Sequence, residues 1–309
     1  MKIKTLINLY LTIITCFLTI ISCSQKKVHY EDLYENGQLK ETMITYHKEK
    51  ITKRIHYFKN NQISFVQVYK NDSTINYDTY YKNGQLEHSE RRIYKERPIG
   101  KLLKYHKNGQ LEKIGEWDSN GKIGEWNEYF EDGKLARFGN YKDYNKIGEW
   151  VYYYENGQEW IIENYLEGGI QDGDWKRFFE DGKIMFTGEF QLGKRIGMHT
   201  YFFQDGSIES IYNYNNGLLS GIHKSYYQKN QLEEIGEYKE NEKSGKWIYY
   251  NEDGSIEEKG NYENGQKNGI WKEYYEGKLD QIGNYKDDKR TGEWKYYKEN
   301  GKFDRIVNY

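Results

Sequence analysis

Along this chain the apolar positions gather in short aromatic and β-branched runs and carry no stripe with the 3.6-residue period of a helix. The stretch Gly148-Glu149-Trp150-Val151-Tyr152-Tyr153-Tyr154-Glu155-Asn156-Gly157-Gln158 is typical. It predicts a strand entered through Gly-x-Trp and left through an Asn-Gly turn. Twelve versions of that turn occur, with the second turn position at 37, 61, 84, 109, 133, 157, 182, 206, 231, 254, 277 and 301, at intervals of 23 to 25 residues. Two further series keep the same beat. One is the Gly of the Gly-x-aromatic entry, from Gly100 to Gly292; the other is an aromatic closing each returning strand, from Tyr46 to Tyr309. Three series in register define a tandem array whose unit is stable only when stacked on its neighbours.

Each unit reads as a β-hairpin. Asn-Gly and Asp-Gly are the pairs that supply two positive-φ positions to a type I′ turn. Counting back from Asp132-Gly133 sets Trp126 opposite Gly139. A loop from Lys142 to Ile147 then places Tyr141 opposite Gly148, and Gly139 opposite Trp150. Gly148 is thereby expected between Tyr141 and Tyr165, all on one face because their spacings are even. A ring folded over a cross-strand glycine offsets the glycine's poor packing. The same count pairs Trp175 with Gly188 and Trp247 with Gly260, and fails for Trp150, His199 and Trp271. The third residue after each Trp (Tyr129, Tyr153, Phe178, Tyr250, Tyr274, Tyr297) falls on the opposite face.

The expected fold is therefore all-β: an elongated single-layer antiparallel sheet of about twelve tandem hairpins. With strands about 4.8 Å apart it would run roughly 110 Å along the sheet. Residues 34–99 form a degenerate stretch without Gly-x-Trp, and residues 100–309 a regular one. Only 36% of the 309 residues are hydrophobic, a composition that by itself suggests disorder, but 17% are aromatic and 33 are Tyr, which points the other way.

Residues 1–22 stand apart. Lys2 and Lys4 precede an apolar run from Leu6 to Ile21, the pattern of a signal segment to be set aside from fold reasoning. The run ends in Ile20-Ile21-Ser22-Cys23, which resembles a bacterial lipobox; the resemblance implies acylation of Cys23. A conventional signal peptide or an uncleaved helix are the other readings. Residues 23–33 are expected as the lipidated Cys and a polar tether. Cys16 would leave with the segment, so the mature chain could form no internal disulfide. Charge is nearly balanced at −2, with both signs interleaved, so no basic patch for nucleic acid is expected.

Chemistry-bearing residues are scattered. Of seven His, only His199 and His223 share a repeat position, the Trp slot, about one repeat apart and with no third ligand for a metal. The Glu of Gly-Glu-Trp recurs, as a solvated strand residue does and a catalytic acid does not. No phosphate loop or nucleophile motif is present. A non-enzyme without metal or cofactor is expected. The remaining candidate surface is the aromatic face itself: Trp126, Trp150, Trp175, Trp247, Trp271, Trp294, Tyr141 and Tyr165. The bland alternative is that these rings only cover glycines and each other.

The unit Gly-Glu-Trp-x-x-Tyr-Tyr-x-[Asn/Asp]-Gly-x-Leu-x-x-x-Gly-x-Tyr, as at 148–165 and 245–262, resembles the MORN-repeat variant of bacterial YwqK-family antitoxins. The resemblance covers 34–309. It implies a sheet of hairpins used for protein contact, and an antitoxin would neutralise a partner toxin by direct binding. An exported, lipidated chain departs from that role. The expected function is thus a non-catalytic, membrane-anchored protein that binds another protein in the cell envelope. An antitoxin or immunity role, and glycan or peptidoglycan binding by the aromatic face, are the alternatives.

Overall fold

The computed structural model describes residues 26–47, 49–70, 74–94 and 98–309, with side chains from Tyr30 onward. The signal segment 1–22, with Cys16, and the lipobox Cys23 lie outside the described residues. Over the described residues the chain is all-β, an open antiparallel sheet of twenty-six strands. Two of these are interrupted: Ile170–Gln171 leads into Gly173–Phe178, and Leu218–Leu219 into Gly221–Tyr226. The strands therefore group as twelve hairpins. Among the described residues a single 3-10 turn, Gln228–Asn230, stands where a repeat lacks its turn glycine, and there Lys229 and Asn230 take positive φ instead. The polar stretch expected as a tether is strand from Lys26 to Leu33, paired with Leu39–Tyr46. The first Asn-Gly turn needs an incoming strand, and this segment supplies it.

Glu276-Gly277 apart, the turns that follow the Trp-bearing strands are not type I′. Gly133 N–H donates to the Phe130 carbonyl (2.9 Å) and Phe130 N–H to the Lys134 carbonyl (2.8 Å). Only Gly133, at φ +84°, is left-handed; Asp132 is not. That is a type I turn closed by a glycine bulge, the geometry of three-residue hairpin loops. Asp132 Oδ1 accepts from Lys134 N–H at 3.0 Å, so the acid or amide caps the turn. The true two-residue turns lie on the other margin, at Asp143-Tyr144 (φ 50° and 67°), Asn216-Gly217 and Asn264-Gly265, where both positions have positive φ.

The turn type changes little in the register. Trp175 faces Gly188, Trp247 faces Gly260, Trp150 faces Glu163 and His199 faces Tyr212, as counted. Trp271 does not fail as expected: it faces Gly283, because its shortened turn at Glu276-Gly277 pairs Tyr275 with Lys278 and keeps the ladder in step. Tyr141 does not face Gly148. It pairs with Lys146 across the tight 143–144 turn, and a register shift beyond it absorbs two residues. Gly148 sits at that bulge with φ +67°, faces Tyr165 only, and has open space where a Cβ would be. Its role is backbone conformation, not ring contact.

The described residues divide into two compact units, one running to Leu135 and the other Ala136–Tyr309. In the first, the early repeats lack the Trp row and bury an aliphatic cluster of Ile44, Ile55 and Val66, with Tyr46, Tyr57 and Tyr80 packed against it. In the second, indoles take over, and Trp175, Phe186 and Phe190 form a buried cluster.

Candidate functional site

The repeated constellation centres on the Trp slot. At Trp126, Trp150, Trp247, Trp271 and Trp294 the indole lies over a glycine of the strand before it, so closely that a Cβ there would meet the ring: 2.0 Å at Gly236 under Trp247, 2.3 Å at Gly139 under Trp150, 2.1 Å at Gly115 under Trp126. Each indole N–H then donates to a carbonyl at the register shift ten residues upstream. Trp150 reaches Asn140 at 3.0 Å, Trp247 reaches Glu237 at 3.2 Å, and Trp294 reaches Asn284 at 3.1 Å. A bulge breaks the ladder and leaves a backbone oxygen short of its partner; the indole supplies the missing donor. Trp therefore fits this position for its N–H as well as its area.

Above each ring sits a cation four residues upstream. Lys243 Nζ lies 3.9 Å from the Trp247 ring, Lys267 4.0 Å from Trp271, Lys122 4.3 Å from Trp126, and the Arg290 guanidinium 4.1 Å from Trp294. Such contacts contribute about 0.5–2 kcal/mol each. Glutamates and tyrosyl hydroxyls complete the layer: Lys267 bonds Glu258 at 2.7 Å, while Lys243 bonds Glu234 at 3.2 Å and Tyr249 at 2.9 Å. Burial alone would lower the Lys146 ammonium, but its bond to Tyr152 and the Glu163 charge outweigh it and hold the group above the usual lysine range. Burial and the Glu234 charge push the Tyr238 phenol up to about 12.

The six tryptophans nominated as a binding face are thus buried: Trp247, Trp271 and Trp294 are 0% exposed, and Trp126, Trp150 and Trp175 no more than 6%. Cations cover five of them and the rings of Tyr165 and Phe190 flank Trp175, so they cannot stack on a ligand. Tyr141 and Tyr165 are half-buried beside Trp150 and Trp175. The sequence held a signal for the missed partners, a Lys or Arg at constant spacing before the Trp (Lys122, Lys146, Lys243, Lys267, Arg290).

His199 and His223 occupy two Trp slots in different states. His199 Nε2 donates to the Glu189 carbonyl at 3.0 Å, while its buried Nδ1 has no partner, and burial holds its pKa below the usual histidine value. His223 sets Nδ1 3.1 Å from the Ile211 carbonyl and Nε2 2.9 Å from Glu234. Both are acceptors, so both bonds form only with both ring nitrogens protonated. Each ring is enclosed by tyrosines, Tyr214 for His199 and Tyr212 and Tyr238 for His223. Among the described residues no three His, Cys, Asp or Glu gather as a metal site would require.

On the Asn-Gly margin a second repeated device appears. The Tyr154 hydroxyl donates to the Phe178 carbonyl (2.9 Å), Tyr81 to Tyr105 (2.9 Å), Tyr34 to Tyr57 (2.8 Å) and Tyr227 to Tyr250 (3.1 Å). Each bond spans one repeat. A solvent-open groove of about 250 Å³ is lined by Arg91, Ile93, Ile99, Gly100, Lys101 and Glu116. It brings no nucleophile beside a base.

This geometry of glycine, bulge and indole recurs at 24-residue spacing through most of the second unit, and the comparisons follow it. Seven segments match the MORN repeat variant. They are 122–143, 146–166, 171–191, 219–240, 243–264, 267–287 and 290–309. The MORN-variant pattern skips 192–218, although the strands Lys194–Phe202 and Ile208–Asn215 keep the fold there. No curated protein matches the chain. Among solved structures, "TcdB2-TccC3 without hypervariable C-terminal region" is 11% identical over 92% of this chain, with a TM-score of 0.18. "TcdB2-TccC3-Cdc42" is 12% identical over 93%, with a TM-score of 0.15. The chain spans about one fifth of those structures (19% and 20%).

Proposed function

We propose that this chain is a non-catalytic repeat protein that binds another protein, held at the cell envelope by acylation of Cys23. The observation that supports the reading is how the polar and aromatic groups are spent. Cations, carboxylates, indoles and phenols of the repeat are engaged with one another in packing layers. Among the side chains left facing solvent are large apolar and aromatic ones, such as Tyr144 (68%), Leu192 (66%) and Tyr275 (62%). Exposed apolar area of that kind marks contact surfaces. Glycan stacking through the Trp row is not carried forward, because sugar stacking needs an open ring face.

Affinity purification of the full-length protein from envelope extracts tests the binding role. Stoichiometric recovery of a protein partner is expected; clean recovery of the chain alone would overturn the reading. For the anchor, metabolic palmitate labelling should be lost in Cys23→Ala and kept in Cys16→Ala. The opposite pattern would refute acylation at Cys23.

A further inference from the structure

The repeat supplies its own control for which surface residues the fold requires. In the Gly-x-Trp entry, x is Glu125, Glu149, Asp174, Lys246 or Glu293 in most repeats, pointing away from the Trp face. In two successive repeats it is instead Met198 (59% exposed) and Ile222 (57%), and once more, standing alone, Ile270 (57%). The margin beside them changes in the same way. Leu192 (66%) begins a turn that elsewhere begins with Asp143, Asn216, Asn264 or Asp287, and Leu218 (41%) follows the next turn. Most of these departures fall in 192–218, the one repeat-length stretch between matched segments. Neither packing nor turn chemistry asks for them, since neighbouring repeats fold with polar residues at the same places.

The flanks of this strip are acidic. Asp174 pairs directly with Glu189 across neighbouring strands, both exposed, an arrangement of like charges that destabilises a sheet. On the other side Ile222 pairs with Glu237, also exposed. None of the three carboxylates forms an ion pair among the described residues. Across the strands the order is Asp174, Glu189, Met198, Asn213, Ile222, Glu237, with Met198 in the register shift two residues beyond Ile196, the direct partner of Glu189. Met198 pairs with Asn213, and Asn213 donates to the Ile222 carbonyl. Five strand spacings make the strip about 24 Å long. Met198 and Ile222 are about 10 Å apart, two spacings, close to the rise of seven helical residues.

We infer that this strip docks a cationic amphipathic segment of a partner protein, with two apolar anchors about seven residues apart on Met198 and Ile222 and Lys or Arg flanking them to meet Asp174, Glu189 and Glu237. The inference deepens the protein-binding reading and rests on it. Partner charge would relieve the Asp174–Glu189 repulsion, so binding is expected to weaken as salt rises.

The test titrates the full chain against a fluorescein-labelled 16-residue Leu/Lys helical peptide with leucines seven apart, and against its Leu/Glu counterpart. The variant Met198→Glu/Ile222→Glu carries the acidic residue that other repeats carry, so it should fold, with at most the small fall in melting temperature that a like charge opposite Glu237 brings. Saturable binding of the Leu/Lys peptide by the wild type is expected, at least tenfold weaker in that variant and in Asp174→Lys/Glu189→Lys. Ile270→Glu, an equally exposed position outside the strip, should bind like the wild type. No saturable binding, binding of the Leu/Glu peptide to the same extent, or strip variants within twofold of the wild type would overturn the inference. Envelope purification with Met198→Glu/Ile222→Glu separates the two levels. Partners retained by that variant remove the strip and leave the protein-binding role; if even the wild type recovers none, that role falls while the peptide titration still decides the strip.

Discussion

At Trp247 one side chain does three jobs: it fills the space over Gly236, donates to the Glu237 carbonyl and carries the Lys243 ammonium on its face. Trp247→Ala is expected to cost about 3–5 kcal/mol in chemical denaturation, the range for emptying a buried aromatic site. Trp247→Phe keeps most of the area and loses the donor, so a residual cost of about 1–3 kcal/mol measures the orphaned carbonyl. His199 gives a pH test. Its folded-state pKa is depressed by burial, and protonation would place an N–H on Nδ1 where no acceptor waits. A depressed histidine contributes stability that is present above its unfolded pKa of about 6.5 and lost as pH falls. Hydrogen exchange in Ile184–Gln191 and Lys194–Phe202 should therefore quicken between pH 7 and 5, and His199→Trp should abolish that dependence. At the alkaline end the sign reverses. Tyr238, raised to about 12, stabilises the fold below pH 10 and loses that contribution as pH climbs from 10 toward 12.

The hairpin was legible in the sequence because its punctuation is unambiguous: a Gly every dozen residues and rings between them leave no room for a helix. The turn type was not legible. Asn-Gly suits a type I′ turn and equally a type I turn with a glycine bulge, and only the left-handed φ at Gly133, without one at Asp132, separates them. Gly148 misled for a related reason, since a glycine opposite a ring and a glycine at a bulge look alike in one dimension. Gly148→Ala meets no steric contact, so its cost isolates backbone strain at φ +67°, expected at about 1–2 kcal/mol. Gly139→Ala, which drives a methyl into Trp150, should cost more in the same assay. The hydroxyl bonds between successive turns were invisible for want of any composition signal, because Phe130, Phe179 and Phe203 fill the same position without a hydroxyl. Tyr154→Phe should lower stability by about 1 kcal/mol, read as faster exchange at the two turns it joins.

For the molecule as a whole, contacts run between neighbours along the sheet, so stability should behave as a sum of unit and interface terms. Deleting residues 243–266 removes one period and brings Trp271 into the place of Trp247 over Gly236. That deletion should stay folded, with unchanged circular dichroism per residue and a denaturant slope reduced in proportion to the lost surface. Deleting 243–254 removes half a period, puts the following Trp out of phase with its glycine, and should unfold the neighbouring hairpins. The nominated binding face shows where one-dimensional reading stops. Periodic rings announce a row, but whether the row is a surface or a core depends on what lies above it. Here Lys243, Lys267 and Arg290 close it from four residues upstream on the same strands, a contact that a count of cross-strand pairs does not register.

At Trp126, Trp150, Trp247, Trp271 and Trp294 the indole reaches backward, to a glycine and a carbonyl that left the ribosome before it did. A hairpin such as the one containing Gly236 therefore emerges with its glycine bare and a backbone oxygen unmet, and is sealed only when Trp247 follows. Synthesis would then close the array one tile behind its growing end. A chain arrested mid-array would always expose one unfinished seam, at its newest hairpin.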